Sequence, residues 1–323
     1  MDRHAPLCGA LLRHPLSDLG VRDGPGQQGG GPEREEAGIR PVKVFLDGEF
    51  LSAQDARIPV WDRGFLLGDA LFETLRIHGG RALQRDAHLS RLFRGAALLE
   101  IPLPLGRTAL EAVIDRVIAE NALTDGALRI TLSRGVGEGF LPSGVPRPTL
   151  LVSARPLAPF HPALFRRIGA TLLDSPLPPF GPLSGCKTTN RLPHLLGALT
   201  ARKRRVAEAF FVGAGGTLLE GTVSNLFLVD AEGVVKTPPV TAGILPGTVR
   251  AAMITLCRAL GIPLSETRIV REDLFHATEV FRTNALVIAE PVSTIDDVPV
   301  GRRGATTCLR LRAAYREAIA DRR

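Results

Sequence analysis

From Val42 onward the chain alternates short apolar runs of strand length with stretches of helical period, each bounded by Gly, Pro or Asp-Gly signals. That alternation restricts it to a mixed α and β fold. Val42–Leu46 and Glu49–Leu51 flank Asp47-Gly48, whose residues tolerate the positive φ of a tight hairpin. A second hairpin is predicted at Phe72–Ile77 and Ala82–Gln84 around Gly79-Gly80. Asp86 is expected to cap a helix through Glu100, and another helix to cover Thr108–Asn121. Strands follow at Leu128–Ser133, Thr149–Ala154 and Ile168–Leu173, with a Pro-rich connection through Phe180. Beyond Cys186 the pattern predicts a helix at Leu192–Arg205 and strands at Ala209–Val212, Thr217–Glu220 and Asn225–Val229. Pro246-Gly247 then opens a helix to Leu260, with Pro in an N1-like position and Gly261 as its stop. Strands at Glu266–Val270 and Val280–Ala289 and a last helix to Ile319 complete the chain. The halves meet near Leu157–Arg166, which predicts an α+β chain with a small N-terminal domain (42–157), a linker (158–166) and a larger C-terminal domain (167–323).

Residues 1–41 hold eight Gly and five Pro, too little apolar surface to offset ordering entropy, and are expected to be a disordered extension. The apolar piece Leu7–Leu12 follows Asp2 and stops at Arg13, which argues against a signal peptide. No apolar run approaches the roughly 18 residues of a membrane span, so no membrane partner is expected. Cys8, Cys186, Cys257 and Cys308 lie far apart without a C-x-x-C pair, which speaks against a disulfide scaffold or zinc ribbon and favours a reducing cytoplasm. His161, His194 and His276 are scattered, and no metal site is predicted.

The net charge is +7, carried by 36 arginines and only four lysines. A basic excess can mark nucleic-acid binding. Here the arginines are interspersed with acids, and the dense run Arg202–Arg205 reads as a solvated helix end, so no nucleic-acid partner is expected. A non-catalytic basic binding protein is the remote alternative. The lysine scarcity narrows any amine chemistry to four positions. Lys43, Lys203 and Lys236 read as surface residues, whereas Lys187 sits among small residues in Ser184-Gly185-Cys186-Lys187-Thr188-Thr189-Asn190 with no acid nearby in sequence. An amine that loses solvation becomes a nucleophile towards carbonyls. Glu220 interrupts an apolar stretch, and serves either as an edge-strand acid or as a buried acceptor for a protonated ring nitrogen. Gly243–Arg250 opens a helix whose backbone N–H groups favour a phosphate.

Together these segments resemble the class IV (fold type IV) pyridoxal-phosphate enzymes, the group of branched-chain and D-amino-acid aminotransferases and 4-amino-4-deoxychorismate lyase. The resemblance covers about 42–300 and rests on seven segments in family order. These are Asp62-Arg63-Gly64 through Phe72-Glu73, His88-Leu89-Ser90-Arg91-Leu92, Ser133-Arg134-Gly135, Lys187 to Asn190, Glu220-Gly221 to Phe227, Leu245 to Arg250, and Glu290-Pro291-Val292. It implies a two-domain α+β fold whose larger domain has a β-barrel-like core. It also implies that Lys187 holds pyridoxal 5'-phosphate as a Schiff base and moves the Cα proton. Glu220 then partners the pyridine nitrogen, Arg91 binds the phosphate, and Thr248 with the Val249 amide forms the phosphate cup. Phe72 and Arg129 match positions lining the substrate side, and Asn284 and Ala285 are further candidates for substrate binding. Asn190 and Asn225 match structural or supporting positions.

Within the family the departures point two ways. Lys187-Thr188-Thr189-Asn190-Arg191-Leu192 and Asn284-Ala285-Leu286 resemble the lyase, and Asn284 and Ala285 stand where transaminases place phosphate-binding hydroxyls. Glu138 stands where the lyase often carries a basic residue suited to a dianionic substrate, and Glu220–Asn225 resembles a transaminase. The resemblance therefore implies an aminotransferase moving an amino group from a small amino acid to a 2-keto acid. The alternative is release of 4-aminobenzoate and pyruvate from 4-amino-4-deoxychorismate for folate synthesis. It further implies a homodimer in which the partner closes the substrate pocket.

Overall fold

A computed structural model describes residues 42–142, 147–159, 166–174, 181–301 and 304–320. The extension expected at 1–41 and most of the expected linker lie outside the described residues.

The N-terminal half is one antiparallel sheet of six strands: β1 (Lys43–Leu46), β2 (Glu49–Ser52), β3 (Ala70–His78), β4 (Arg81–Ala82), β5 (Gly126–Ser133) and β6 (Thr149–Pro156). Their spatial order is β2-β1-β6-β5-β3-β4. Both predicted hairpins form, with Asp47 at φ 48°, Gly48 at 104°, Gly79 at 57° and Gly80 at 74°. The period of two sorts β3 into two faces. Leu71, Leu75 and Ile77 join the core under α2 (Arg85–Leu98) and α3 (Arg107–Glu120), where Leu89, Leu92 and Ile114 meet them. Glu73 shares that helix-facing side, whereas Phe72 and Thr74 lie on the other. β5 pairs in register, Thr74 opposite Arg129 and Phe72 opposite Thr131, so Arg129 stands beside Phe72 on the open face.

The C-terminal half is a mixed sheet. Its strands are β7 (Ile168–Leu173), β8 (Glu208–Val212), β9 (Leu218–Gly221), β10 (Asn225–Val229), β11 (Val235–Thr237), β12 (Leu264–Glu266), β13 (Glu279–Asn284), β14 (Ile288–Ile295) and β15 (Val298–Pro299). The order is β12-β11-β10-β13-β14-β7-β8-β9, and β9 also pairs with β10 through Glu220 opposite Asn225. That pairing closes β10, β13, β14, β7, β8 and β9 into the expected barrel-like ring. Phe210, Leu226, Leu228, Val280 and Val292 belong to one buried cluster of this half. A second cluster, with Phe227 stacked 5.1 Å from Phe281, packs under α5 (Thr248–Ala259) and α7 (Thr306–Ala320). α4 (Leu192–Lys203) covers β8. Among the described residues no helix is long and apolar enough to cross a membrane.

Several local expectations need correction. Asp86 does not cap α2: the cap position is Gln84, in the left-handed region at φ 51°, and Asp86 sits in the first turn. Pro246 precedes the cap Gly247 rather than occupying N1, which frees its carbonyl to accept from Arg91. Gly261 does end α5, at φ 65° just beyond the cap residue Leu260. The single strand expected over Val280–Ala289 is the hairpin β13–β14, because the Asn284 side chain accepts from the Leu286 and Val287 N–H groups and folds the chain back. Two short helices were absent from the sequence reading: α1 (Arg63–Leu67) and α6 (Arg271–His276). α1 is nucleated by Asp62, whose carboxylate accepts from the Gly64 and Phe65 N–H groups and from the Ser133 and Thr149 hydroxyls.

Candidate active site

The segment that carries Lys187 is laid against the first turn of β3. The Phe72 N–H donates to the Lys187 carbonyl (2.9 Å), and the Thr189 N–H donates to the Ala70 carbonyl (2.9 Å). These bonds place the ammonium nitrogen 4.8 Å from the centre of the Phe72 ring, with the Arg129 guanidinium 4.0 Å from the same ring. Among the described residues the Lys187 amine has no hydrogen bond or ion pair. Burial pushes its amine down to about 7, with Arg191 and Arg91 adding to the fall and Glu73 and Glu220 opposing it. An amine so placed is half free base near neutral pH, as a nucleophile towards an aldehyde requires.

Glu220, at the end of β9, is buried. One oxygen, Oε2, accepts from the Leu245 N–H (2.9 Å) and from the Asn225 side chain (3.4 Å), which in turn donates to the Leu245 carbonyl (2.9 Å). The other, Oε1, lies 3.4 Å from His194 Nε2 and keeps acceptor capacity for a further donor. The same Asn225 amide oxygen would lie 2.0 Å from a Cβ at Gly247, so only glycine lets the start of α5 come this close.

That start is an anion site by construction. Gly247 brings no capping side chain, and the Thr248 and Val249 N–H groups have no partner among the described residues. Arg91 reaches it from α2, donating to the Pro246 carbonyl (2.8 Å). Its Nε and Nη2 grip Glu73 at 2.8 and 2.7 Å, which leaves one hydrogen on each terminal nitrogen for a ligand. His88 donates from Nδ1 to Glu73 (2.6 Å), and its Nε2 lies 3.1 Å from the Thr248 hydroxyl. A continuous chain thus runs Thr248–His88–Glu73–Arg91–Pro246. Burial pushes the Glu73 carboxyl up, but the bonds from Arg91 and His88 outweigh it and hold the group at about 2. Burial likewise pushes the His88 imidazole below its ordinary value.

The structure therefore gathers Lys187, Phe72, Arg129, Glu220, Arg91, Thr248 and Val249 between the two sheets. Asn284 and Ala285 share no hydrogen bond with these residues among the described ones. Their turn meets β3 at Arg76, whose Nη1 donates to the Leu286 carbonyl (3.5 Å). Asn190 fastens the lysine loop to α1 by donating to the Gly68 carbonyl (3.1 Å). Sequence reasoning assigned no role to Glu73, His88, Arg191 or His194. The 15-residue separation of Glu73 and His88 in sequence hides their direct contact.

The family model for amino-transferase class IV matches residues 70–295. The chain belongs to the class IV aminotransferase family. It is 34% identical to the putative branched-chain-amino-acid aminotransferase of Methanocaldococcus jannaschii, over 79% of this chain and 88% of that one. It is 26% identical to the aminodeoxychorismate lyase of Bacillus subtilis, over 85% of this chain and 94% of that one. Among solved structures it superposes on the branched-chain aminotransferase of the archaeon Thermoproteus uzoniensis with norvaline at a TM-score of 0.78, with 26% identity over 86% of this chain and 94% of the other. Another branched-chain amino acid aminotransferase of the same fold was solved with pyridoxamine 5'-phosphate. Membership in this family agrees with the expected α+β fold and implies pyridoxal 5'-phosphate as the cofactor.

The residues present fit that cofactor. The site holds an unpaired amine, a carboxylate oxygen with acceptor capacity to spare, and an uncapped helix start reached by an arginine with hydrogens to give. These are the groups needed to hold an aldehyde, a pyridine nitrogen and a phosphate.

Proposed function

We propose that the protein is an aminotransferase that moves an amino group from a small amino acid to a 2-keto acid, with pyridoxal 5'-phosphate held on Lys187. The observation that carries this reading is the Lys187 amine, at about 7 and without a partner among the described residues, in the cleft that also holds Glu220. The bound cofactor supplies an electron sink for the pair released when the substrate Cα–H bond breaks. Lys187 accepts and returns that proton. Glu220 would partner the pyridine nitrogen, Oε1 having acceptor capacity to spare. Arg91 and the Thr248 and Val249 N–H groups hold the phosphate. Phe72 and Arg129 line the substrate side, the arginine offering a cation to a carboxylate.

A second reading, release of 4-aminobenzoate and pyruvate from 4-amino-4-deoxychorismate, draws on the Asn284-Ala285 turn. There the Asn284 oxygen is spent on backbone N–H groups and Ala285 has no hydroxyl to offer. Purified protein supplied with amino acid and 2-keto acid pairs, and separately with 4-amino-4-deoxychorismate, decides between the two. The first reading expects amino transfer that needs an acceptor keto acid. Release of 4-aminobenzoate and pyruvate without any acceptor overturns it.

We also infer a homodimer. Trp61, Phe65, Phe140, Leu141, Leu192 and Leu196 are each 60% exposed or more. Most lie on α1, the adjoining loops and α4, and α1 and α4 are joined through Asn190. So much exposed apolar surface marks an interface, and a second copy placed there closes the cleft from the lysine-loop side. We put the boundary between a small and a large domain at residues 158–166, in sequence between β6 and β7. A cytoplasmic setting is in keeping with the free thiols of Cys186, Cys257 and Cys308.

A further inference from the structure

The turn that joins β9 to β10 has Glu220 at its entry and Asn225 at its exit, paired across the two strands. It is tight, the Gly221 N–H donating to the Ser224 carbonyl (2.7 Å). A fully buried carboxylate on the neighbouring strand grips it: Glu208, the first residue of β8. Glu208 Oε1 accepts from the Thr222 N–H (3.0 Å), the Thr222 hydroxyl and the Ala209 N–H (3.0 Å). Its Oε2 accepts from the Ser224 hydroxyl (2.6 Å) and from Arg282 Nη1 (3.0 Å). Gly221 leaves room for this approach, since a Cβ there would lie 2.8 Å from the Glu208 carboxylate and 2.5 Å from the Ser224 hydroxyl. Arg282 on β13 is held in turn by its register partner on β14, Glu290, whose Oε2 accepts from Nη2 (2.6 Å) and Nε (3.1 Å). The Glu290-Pro291-Val292 segment, which has no part in the reading above, thus stands behind the turn. All the acceptor capacity of Glu208 is used inside the protein, so this carboxylate binds no ligand itself.

We infer that Glu208, backed by Arg282 and Glu290, is the positioning residue that sets where Glu220 and Asn225 stand. Its bonds reach both limbs of the turn, Thr222 two residues after Glu220 and Ser224 directly before Asn225. A buried carboxylate is costly to leave unpaired, so each of these donors is held where the charge needs it. Beyond the turn, Glu220 Oε2 accepts from the Leu245 N–H (2.9 Å) and the Asn225 amide donates to the Leu245 carbonyl (2.9 Å). Asn225 also fills the space that Gly247 leaves open at the start of α5. One charge therefore places the carboxylate meant for the pyridine nitrogen and the side chain that abuts the phosphate end. The inference rests on the reading of Glu220 as the partner of that nitrogen.

Two measurements on Glu208→Gln, which keeps the size but turns one acceptor into a donor, test it. In the cofactor-free full-length protein, hydrogen exchange at the Leu245 amide reports whether Glu220 still reaches its partner. It is expected to quicken at least about tenfold, while the amides of β5 in the other sheet keep their wild-type rates. In a fluorescence titration with pyridoxal 5'-phosphate, Glu208→Gln is expected to weaken binding about tenfold. Combined with Glu220→Gln, the total loss should fall short of the product of the two single losses by about threefold or more, a coupling that a merely structural role would not give. Ser224→Ala removes one donor to the same carboxylate, is expected to move both readouts in the same direction, and stands in for Glu208→Gln should that variant not fold. Unchanged exchange at Leu245, an equal rise throughout β5, or losses of affinity that simply multiply overturn the inference. Unchanged affinity in Glu220→Gln alone overturns the reading of Glu220 instead, and exchange at Leu245 still decides whether Glu208 places it.

Discussion

Replacing Glu73 by Gln removes the charge at the centre of the phosphate-side network while keeping the side chain's size. Glu73 is 1% exposed and accepts three short bonds, two from Arg91 and one from His88. Holding this carboxyl at about 2, against an ordinary 4.5, corresponds to about 3 kcal/mol at about 1.4 kcal/mol per tenfold. The general cost of breaking a buried ion pair by removing one partner, about 3–5 kcal/mol, gives the same scale. Because the folded-state value is depressed, the contribution is full above about 4.5 and is lost as pH falls through about 2. Urea unfolding of the cofactor-free protein at pH 7 should therefore show Glu73→Gln less stable by about 3 kcal/mol with an unchanged slope. The gap between variant and wild type should close as the pH is lowered from 4.5 towards 2. A loss below about 1 kcal/mol, or a gap independent of pH, would refute the reasoning, because the network would then carry no net stabilisation.

Other outcomes follow from the same contacts. Glu220→Gln should lower kcat about 10- to 150-fold, the equivalent of one charge-assisted hydrogen bond of about 1.5–3 kcal/mol, measured in steady-state transamination. Gly247→Ala drives a methyl group into Asn225, 2.0 Å away, and should weaken cofactor binding by at least tenfold in a fluorescence titration, about 1.4 kcal/mol. Arg129→Ala should raise KM for the amino- or keto-acid partner by about tenfold or more with little change in kcat, as expected when a carboxylate contact made equally in ground and transition states is removed.

Much of the architecture could be read from the chain itself, since local rules decide it. Ile168–Leu173 falls on its predicted strand residue for residue, and the Asp-Gly and Gly-Gly turns lie where positive φ is required. The failures have a shared physical cause. α1 is only five residues long and leaves Phe65, Leu66 and Leu67 exposed, so it has no buried stripe to signal it. The β13–β14 hairpin turns on one side chain, Asn284, bonding to N–H groups two and three residues on, with no Gly or Pro beside it to mark the turn. At the site, Lys187 stood out by scarcity and Glu220 by interrupting an apolar stretch. Partners brought in by tertiary folding left no local trace: Asn225 bridging Glu220 and Leu245, Glu73 clamped by His88 and Arg91, and His194 holding Arg191. Segment order could suggest that these residues belong together, but not which atoms meet.

The central claim is that Lys187 is the nitrogen that carries the cofactor. Borohydride reduction of the purified holoenzyme, followed by peptide mass mapping, tests it most directly. The account predicts a phosphopyridoxyl group on Lys187 and none on Lys43, Lys203 or Lys236. A label on any other lysine, or none at all in protein that retains the cofactor, would contradict it.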